Sequence, residues 1–106
     1  MTPEQKPNFV YVWEFIVRDE QIENFSRIYG PTGDWVQLFS RSADYVRTEL
    51  CQDMNRPQRF MTYDYWTSKE SCDQFKQQYK TEFEALDKHC ANLTNTENFL
   101  GDFVSR

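Results

Sequence analysis

"FVYVWEFIVRDEQIENFSRIYG", Phe9 to Gly30, changes its period halfway along, and that change decides the fold. Phe9–Val17 is dense in β-branched and aromatic residues, as expected of a strand covered on both faces. Tyr11, Trp13 and Phe15 share one face; Val10, Val12, Glu14 and Ile16 share the other. From Arg18 the apolar positions move to helical spacing, at Ile22, Phe25, Ile28 and Tyr29. Acids come early and Arg27 late, as the helix dipole favours. Gly30 is placed to end this helix in a left-handed conformation, and Pro31 cannot continue it.

Outward from this unit, a second short helix is expected over 34–40, burying Trp35, Leu38 and Phe39, with Asp34 near its start to cap or favour the free amides there. "YVRTELCQD" (Tyr45–Asp53) and "RFMTYDYW" (Arg59–Trp66) read as an antiparallel hairpin joined by "MNRPQ". Thr67 and Glu70 fit a capping box. Cys72, Phe75, Tyr79, Phe83, Leu86, Cys90 and Leu93 then form one apolar stripe along a long helix. Phe99–Val104 can close the chain as a short strand. The order β-α-(α)-β-β-α-β predicts an α+β, ferredoxin-like βαββαβ fold, a four-stranded antiparallel sheet with helices on one face. Residues 1–8, with two prolines and no periodicity, read as a disordered tail, leaving 9–106 as a single domain. The strands are apolar on both faces while the helices cover one. The simplest cover for the second face is another copy of the sheet, giving a homodimer closed as a dimeric α/β barrel.

Composition narrows the partners. Rings make up 17% of the 106 residues, and flat side chains make good walls for flat ligands. A net charge of -5 argues against a nucleic-acid backbone, which is held by clustered Lys and Arg. RNA-recognition modules share the element order, but their third-strand signature needs glycines, and "RFMTYDYW" has none and carries an acid. "GPTG" (30–33) matches the G-x-x-G of nucleic-acid loops yet is followed by Asp34 with no Lys nearby, so it reads as a corner between helices. No apolar run approaches a membrane span, and nothing at the start resembles a signal peptide. Cys51, Cys72 and Cys90, odd in number and without C-x-x-C spacing, suit reduced thiols in a cytoplasmic protein. His89 is the one histidine and has no ligand companion, so no metal site is expected.

Two acids stand out. Glu14 is the one acid inside an otherwise apolar strand. Asp64 shares its sheet face with Phe60, Thr62 and Trp66. An acid facing a covered sheet must be paired, hydrated or protonated, so both are candidates for perturbed groups beside a pocket. The plainer alternative pairs each with Arg47, Arg59 or a dimer mate.

The run "YGPTGDWVQLF" (29–39), with "D-x-W-x-S-x-E" at Asp64, Trp66, Ser68 and Glu70, resembles the antibiotic biosynthesis monooxygenase family over roughly residues 9–103. The resemblance implies a dimeric α/β barrel. Some members oxidise phenols with O2 and no cofactor, others degrade haem, and many have no known activity. Trp66 matches the pocket-lining tryptophan of the oxidising branches. The haem-degrading members use a helix His and a first-strand Asn. This chain has no His between Thr67 and Lys88, and it carries Glu14 in the first strand. The phenol-oxidising members have an Asn four residues before the Trp and a Tyr six after, where this chain has Thr62 and Cys72. The expected enzyme oxidises a flat, phenol- or quinol-type molecule with O2 and without cofactor. Trp66 would wall the site, Glu14 or Asp64 would orient or deprotonate the substrate, and Tyr63 or Tyr11 would donate a proton. Trp13, Trp35, Thr62, Cys72 and Phe75 complete the expected substrate contacts. The rival is a non-catalytic binder or stress-responsive dimer whose rings simply pack.

Overall fold

The computed structural model describes residues 7–106, so most of the expected tail lies outside the described residues. Asn8 is already tied down, its carbonyl accepting from the Ser105 N–H at 2.9 Å. The elements run β1 (Phe9–Val17), α1 (Ile22–Tyr29), α2 (Asp34–Phe39), β2 (Tyr45–Gln52), β3 (Arg59–Trp66), α3 (Lys69–Gln78), α4 (Lys80–Cys90) and β4 (Thr94–Val104). They form one antiparallel sheet in the order β2-β3-β1-β4 with the helices packed on one face, the ferredoxin-like α+β arrangement.

Four local expectations change. The helix cap after β3 is Ser68, not Thr67. Its side chain accepts from the Ser71 N–H, and the Ser71 hydroxyl meets the Ser68 N–H in return. The Thr67 hydroxyl instead donates to Asp44 at 3.0 Å, tying β3 to the start of β2. The long helix is two helices. Tyr79, at φ -107 and ψ 32, breaks it while its ring stays packed on Phe75. β4 begins at Thr94 rather than near Phe99, because its polar first half still pairs with β1. Gly30 is extended (φ -77, ψ 179) rather than left-handed.

The corner needs both glycines for space: a Cβ at Gly30 would meet the Ser26 carbonyl oxygen at 2.6 Å, and Gly33, just ahead of α2, is tighter still. A Cβ at Gly33 would strike the carbonyl oxygens of Ile28 and Arg27. The start of α2 therefore rests directly on the last turn of α1, and the "GPTG" stretch is a close-approach joint. Asp34 is the first helical residue and makes no side-chain cap; Gly33 holds the cap position.

Register sorts the side chains into faces. β1 pairs with β3 so that Tyr11 stands opposite Asp64, Trp13 opposite Thr62 and Phe15 opposite Phe60. All of these point under the helices. Phe25 of α1 sits at the middle of the core, with ring centroids 5.2 Å from Phe15, 4.1 Å from Tyr29 and 5.0 Å from Phe60. Such pairs each contribute about 0.5–1.5 kcal/mol beyond the area they bury, so this network anchors α1 to the sheet. The other sheet face carries Val10, Val12, Glu14, Arg59, Met61, Tyr63 and Tyr65, and no helix covers it. Apolar side chains also stay exposed along the edge strand β4, at Phe99, Leu100, Phe103 and Val104.

Candidate functional site

The sheet and helices do not close completely. A cavity of about 220 Å³ remains between the inner sheet face and the helical layer. The strands contribute Tyr11, Trp13, Phe15, Thr48, Thr62, Asp64 and Glu97 to its wall; the helices contribute Tyr29, Trp35, Phe39, Lys76, Phe83 and Asp87. Period-2 alternation explains the strand side. Antiparallel register brings Trp13 beside Thr62, Tyr11 beside Asp64, and Asp64 beside Thr48. Trp35 and Phe83, edge to face at 5.1 Å, form the helical side of the slot.

Asp64 is the buried acid of this cavity, 6% exposed. Burial pushes its carboxyl up to about 6; the Thr48 hydrogen bond and the Lys76 charge pull the other way. Thr48 Oγ1 donates to Oδ1 at 2.6 Å, and the Tyr45 hydroxyl lies 2.7 Å from Thr48 Oγ1. Lys76 Nζ stands over the Tyr11 ring, 4.4 Å from its centroid, a cation–π contact that holds the ammonium near the acid. Burial, reinforced by the Asp64 charge, raises the Tyr11 phenol well above its ordinary range, so it stays a neutral hydroxyl. At the far end, Glu97 is pushed up by burial and by the nearby Asp87 charge. Burial also raises the phenol of Tyr29 in the wall and the Cys90 thiol behind it.

The sequence-derived candidates divide. Tyr11, Trp13, Thr62, Trp35 and Asp64 meet in the cavity. Trp66 does not border it. Fully buried, it packs against Phe39, Tyr45 and Phe75 at 5.2–5.5 Å, because Phe39 at the end of α2 and Phe75 within α3 close over that end of β3. Cys72 and Phe75 belong to the same packed core, and burial lifts the Cys72 thiol to about 11. Glu14 and Tyr63 lie on the opposite sheet face. Glu14 accepts from Arg59 Nε at 2.7 Å and Asn98 Nδ2 at 3.1 Å, contacts that hold it below the usual carboxylate range. Arg59 also reaches Asp53, and the Tyr63 hydroxyl reaches the Met61 sulfur at 3.8 Å.

Sequence reading missed Thr48, Lys76, Phe83, Asp87 and Glu97, and it gave Phe15, Tyr29 and Phe39 no place in the site. Thr48 was within reach, since a hairpin centred on "MNRPQ" sets it opposite Asp64. Lys76 was masked by the apolar stripe of its helix, where it follows Cys72 by four residues. Among the described residues, no group of three His, Cys, Asp or Glu side chains is arranged to hold a metal ion. None of the helices among them is long and apolar enough to cross a membrane.

No family model matches this chain, and no curated protein does. Solved structures do. SnoaB, a cofactor-independent oxygenase from Streptomyces nogalater, is 18% identical with a TM-score of 0.71, covering 95% of each chain. A protein of Nitrosomonas europaea assigned as an antibiotic biosynthesis monooxygenase matches at 13% identity and TM-score 0.71, over 98% of this chain and 95% of that one. PA3566 of Pseudomonas aeruginosa matches at 12% identity and TM-score 0.67, over 95% and 96%. This chain has the fold of those proteins.

Proposed function

We propose that this chain is a small-molecule oxygenase of the antibiotic biosynthesis monooxygenase type, acting on a phenol- or quinol-type ring with O2 and no cofactor. The observation that carries the proposal is one buried carboxyl, Asp64, set in a ring-lined cavity. Size narrows the ligand. An apolar cavity of about 150 Å³ accepts benzene, so about 220 Å³ suits one or two fused rings, with any longer part reaching out of the mouth. Trp13, Trp35 and Phe83 would hold the ring faces, and Asp64 would take the phenolic proton. The electron-rich ring carbon then bonds O2, and the proton returns to give a hydroperoxide. Loss of water breaks the O–O bond and leaves a carbonyl: phenol plus O2 gives quinone plus water. Tyr11, held neutral, would donate a hydrogen bond to the developing peroxide oxygen.

The sheet face that no helix covers, with half-buried Met61, Tyr63 and Tyr65 over buried Val10 and Val12, supports pairing with a second copy. Sedimentation should give a dimer, and Tyr63→Glu should weaken it; a wild-type monomer would overturn that part. The catalytic part is tested with 1-naphthol, following tryptophan fluorescence for binding and an oxygen electrode for turnover. Saturable quenching with one O2 consumed per quinone formed is expected. Binding without O2 uptake would favour the non-catalytic reading, for which the packed position of Trp66 speaks.

A further inference from the structure

Thr48 belongs to two cavities. It lines the ring-walled cavity together with Asp64, and it also lines a second, more open hollow between β2 and the α1–α2 corner, with Tyr45, Ser42 and Pro31. Between them runs an unbroken row of oxygens, from the Tyr45 hydroxyl to Thr48 Oγ1 at 2.7 Å and on to Asp64 Oδ1 at 2.6 Å. With Asp64 ionised, the direction of this row follows from donor counting. A hydroxyl has one proton; Thr48 gives its own to Asp64, so Tyr45 must give its own to Thr48. Tyr45 is half-buried beside the outer hollow, so its remaining lone pair can accept from solvent there.

From this geometry we infer that Tyr45 and Thr48 are positioning residues that hold Asp64 as a hydrogen-bond acceptor and make the cavity select ligands carrying a ring-edge donor. Oδ1 is taken by Thr48, which fixes the plane of the carboxyl and leaves Oδ2 for the cavity. An acceptor fixed in an apolar wall rewards a phenolic O–H or an aryl N–H, and it rejects a methyl ether of the same shape, because a buried acceptor left unpaired is costly. The other titratable groups that face this carboxyl are Tyr11 from β1, Tyr45 from β2, and Cys72 and Lys76 from α3. Of these, Lys76 alone is cationic and favours the same charged form. The inference rests on the reading of the cavity as a ligand site, and the experiment separates the two.

The direct test is a carbon-13 NMR titration of the Asp64 side chain in the full chain, without ligand. Thr48→Val keeps the shape and removes the donor. Its Asp64 midpoint should rise by about one pH unit or more, the worth of a hydrogen bond to a charged group. Thr48→Ser should bring the midpoint back to within a few tenths of the wild-type value. Tyr45→Phe, which leaves the Thr48 donor in place, should move it up by less, and it judges the row on its own if Thr48→Val does not fold. An Asp64 midpoint unmoved in Thr48→Val, or in Tyr45→Phe where only that variant folds, would overturn the inference. The second arm compares 1-naphthol with 1-methoxynaphthalene by tryptophan quenching. Wild type should prefer the naphthol by roughly tenfold, and Thr48→Val should lose most of that preference. Equal affinity for both in wild type would overturn the selectivity. Binding of neither would overturn the cavity reading, while the NMR result still decides the row.

Discussion

Asp64→Asn should stabilise this protein at neutral pH and do nothing at acid pH. The carboxyl is 6% exposed, and burial moves it from 3.8 to about 6. Each pH unit of that gap is worth about 1.36 kcal/mol, so holding the charged form in the folded chain costs about 3 kcal/mol. The sign follows from proton binding. Between these values the folded chain holds the proton more tightly than the unfolded one. The stabilising effect of the bound proton is therefore complete below about pH 4 and is lost as pH rises through about 6. An amide has no charge to bury and keeps an oxygen for the Thr48 hydroxyl. Urea melts at a fixed protein concentration should thus superimpose near pH 4. At pH 8 the variant should lead by about 3 kcal/mol, or a midpoint shift of roughly 1–3 M. A difference that is the same at both pH values would rule out a buried-charge effect, because it would come from packing.

Trp66→Ala should cost about 3–5 kcal/mol by calorimetry, the range for emptying an aromatic core site, and should leave the affinity of folded protein for 1-naphthol nearly unchanged; a selective loss of binding would return Trp66 to the cavity wall. Gly33→Ala should cost about 2 kcal/mol or more, since its Cβ would strike the backbone carbonyls that end α1, whereas Thr32→Ala on the exposed side of the same corner should melt within about 0.5 kcal/mol of wild type. Glu14 is held below its ordinary range by Arg59 and Asn98, so the stability it contributes is present above about pH 4.5 and lost as pH falls; Glu14→Gln should flatten the acid side of the stability profile in fluorescence-detected unfolding.

The sheet was legible because its signals are local. Alternation in Phe9–Val17 and Arg59–Trp66 assigned the faces, and the turn between Asp53 and Arg59 set the register that joins Tyr11, Asp64 and Thr48. The helical breaks were not, because Tyr79 stays on the apolar stripe while its backbone leaves the helix. The site was half legible for a similar reason. Alternation places Trp66 on the same face as Asp64, but whether a ring borders space or is sealed depends on which helix rings come down over it, here Phe39 and Phe75. Glu14 looked costly in an apolar strand, yet Arg59 comes from the neighbouring strand and meets it on the outer face. Charge balance of that kind is set by cross-strand register as much as by composition.

The most direct measurement is a crystal structure of the full chain with 1-naphthol. The ring should lie between Trp13 and Trp35 with its hydroxyl on Asp64 Oδ2 and Thr48 still on Oδ1. A cavity filled by collapsed side chains, or naphthol seated only on the outer sheet face, would contradict this placement.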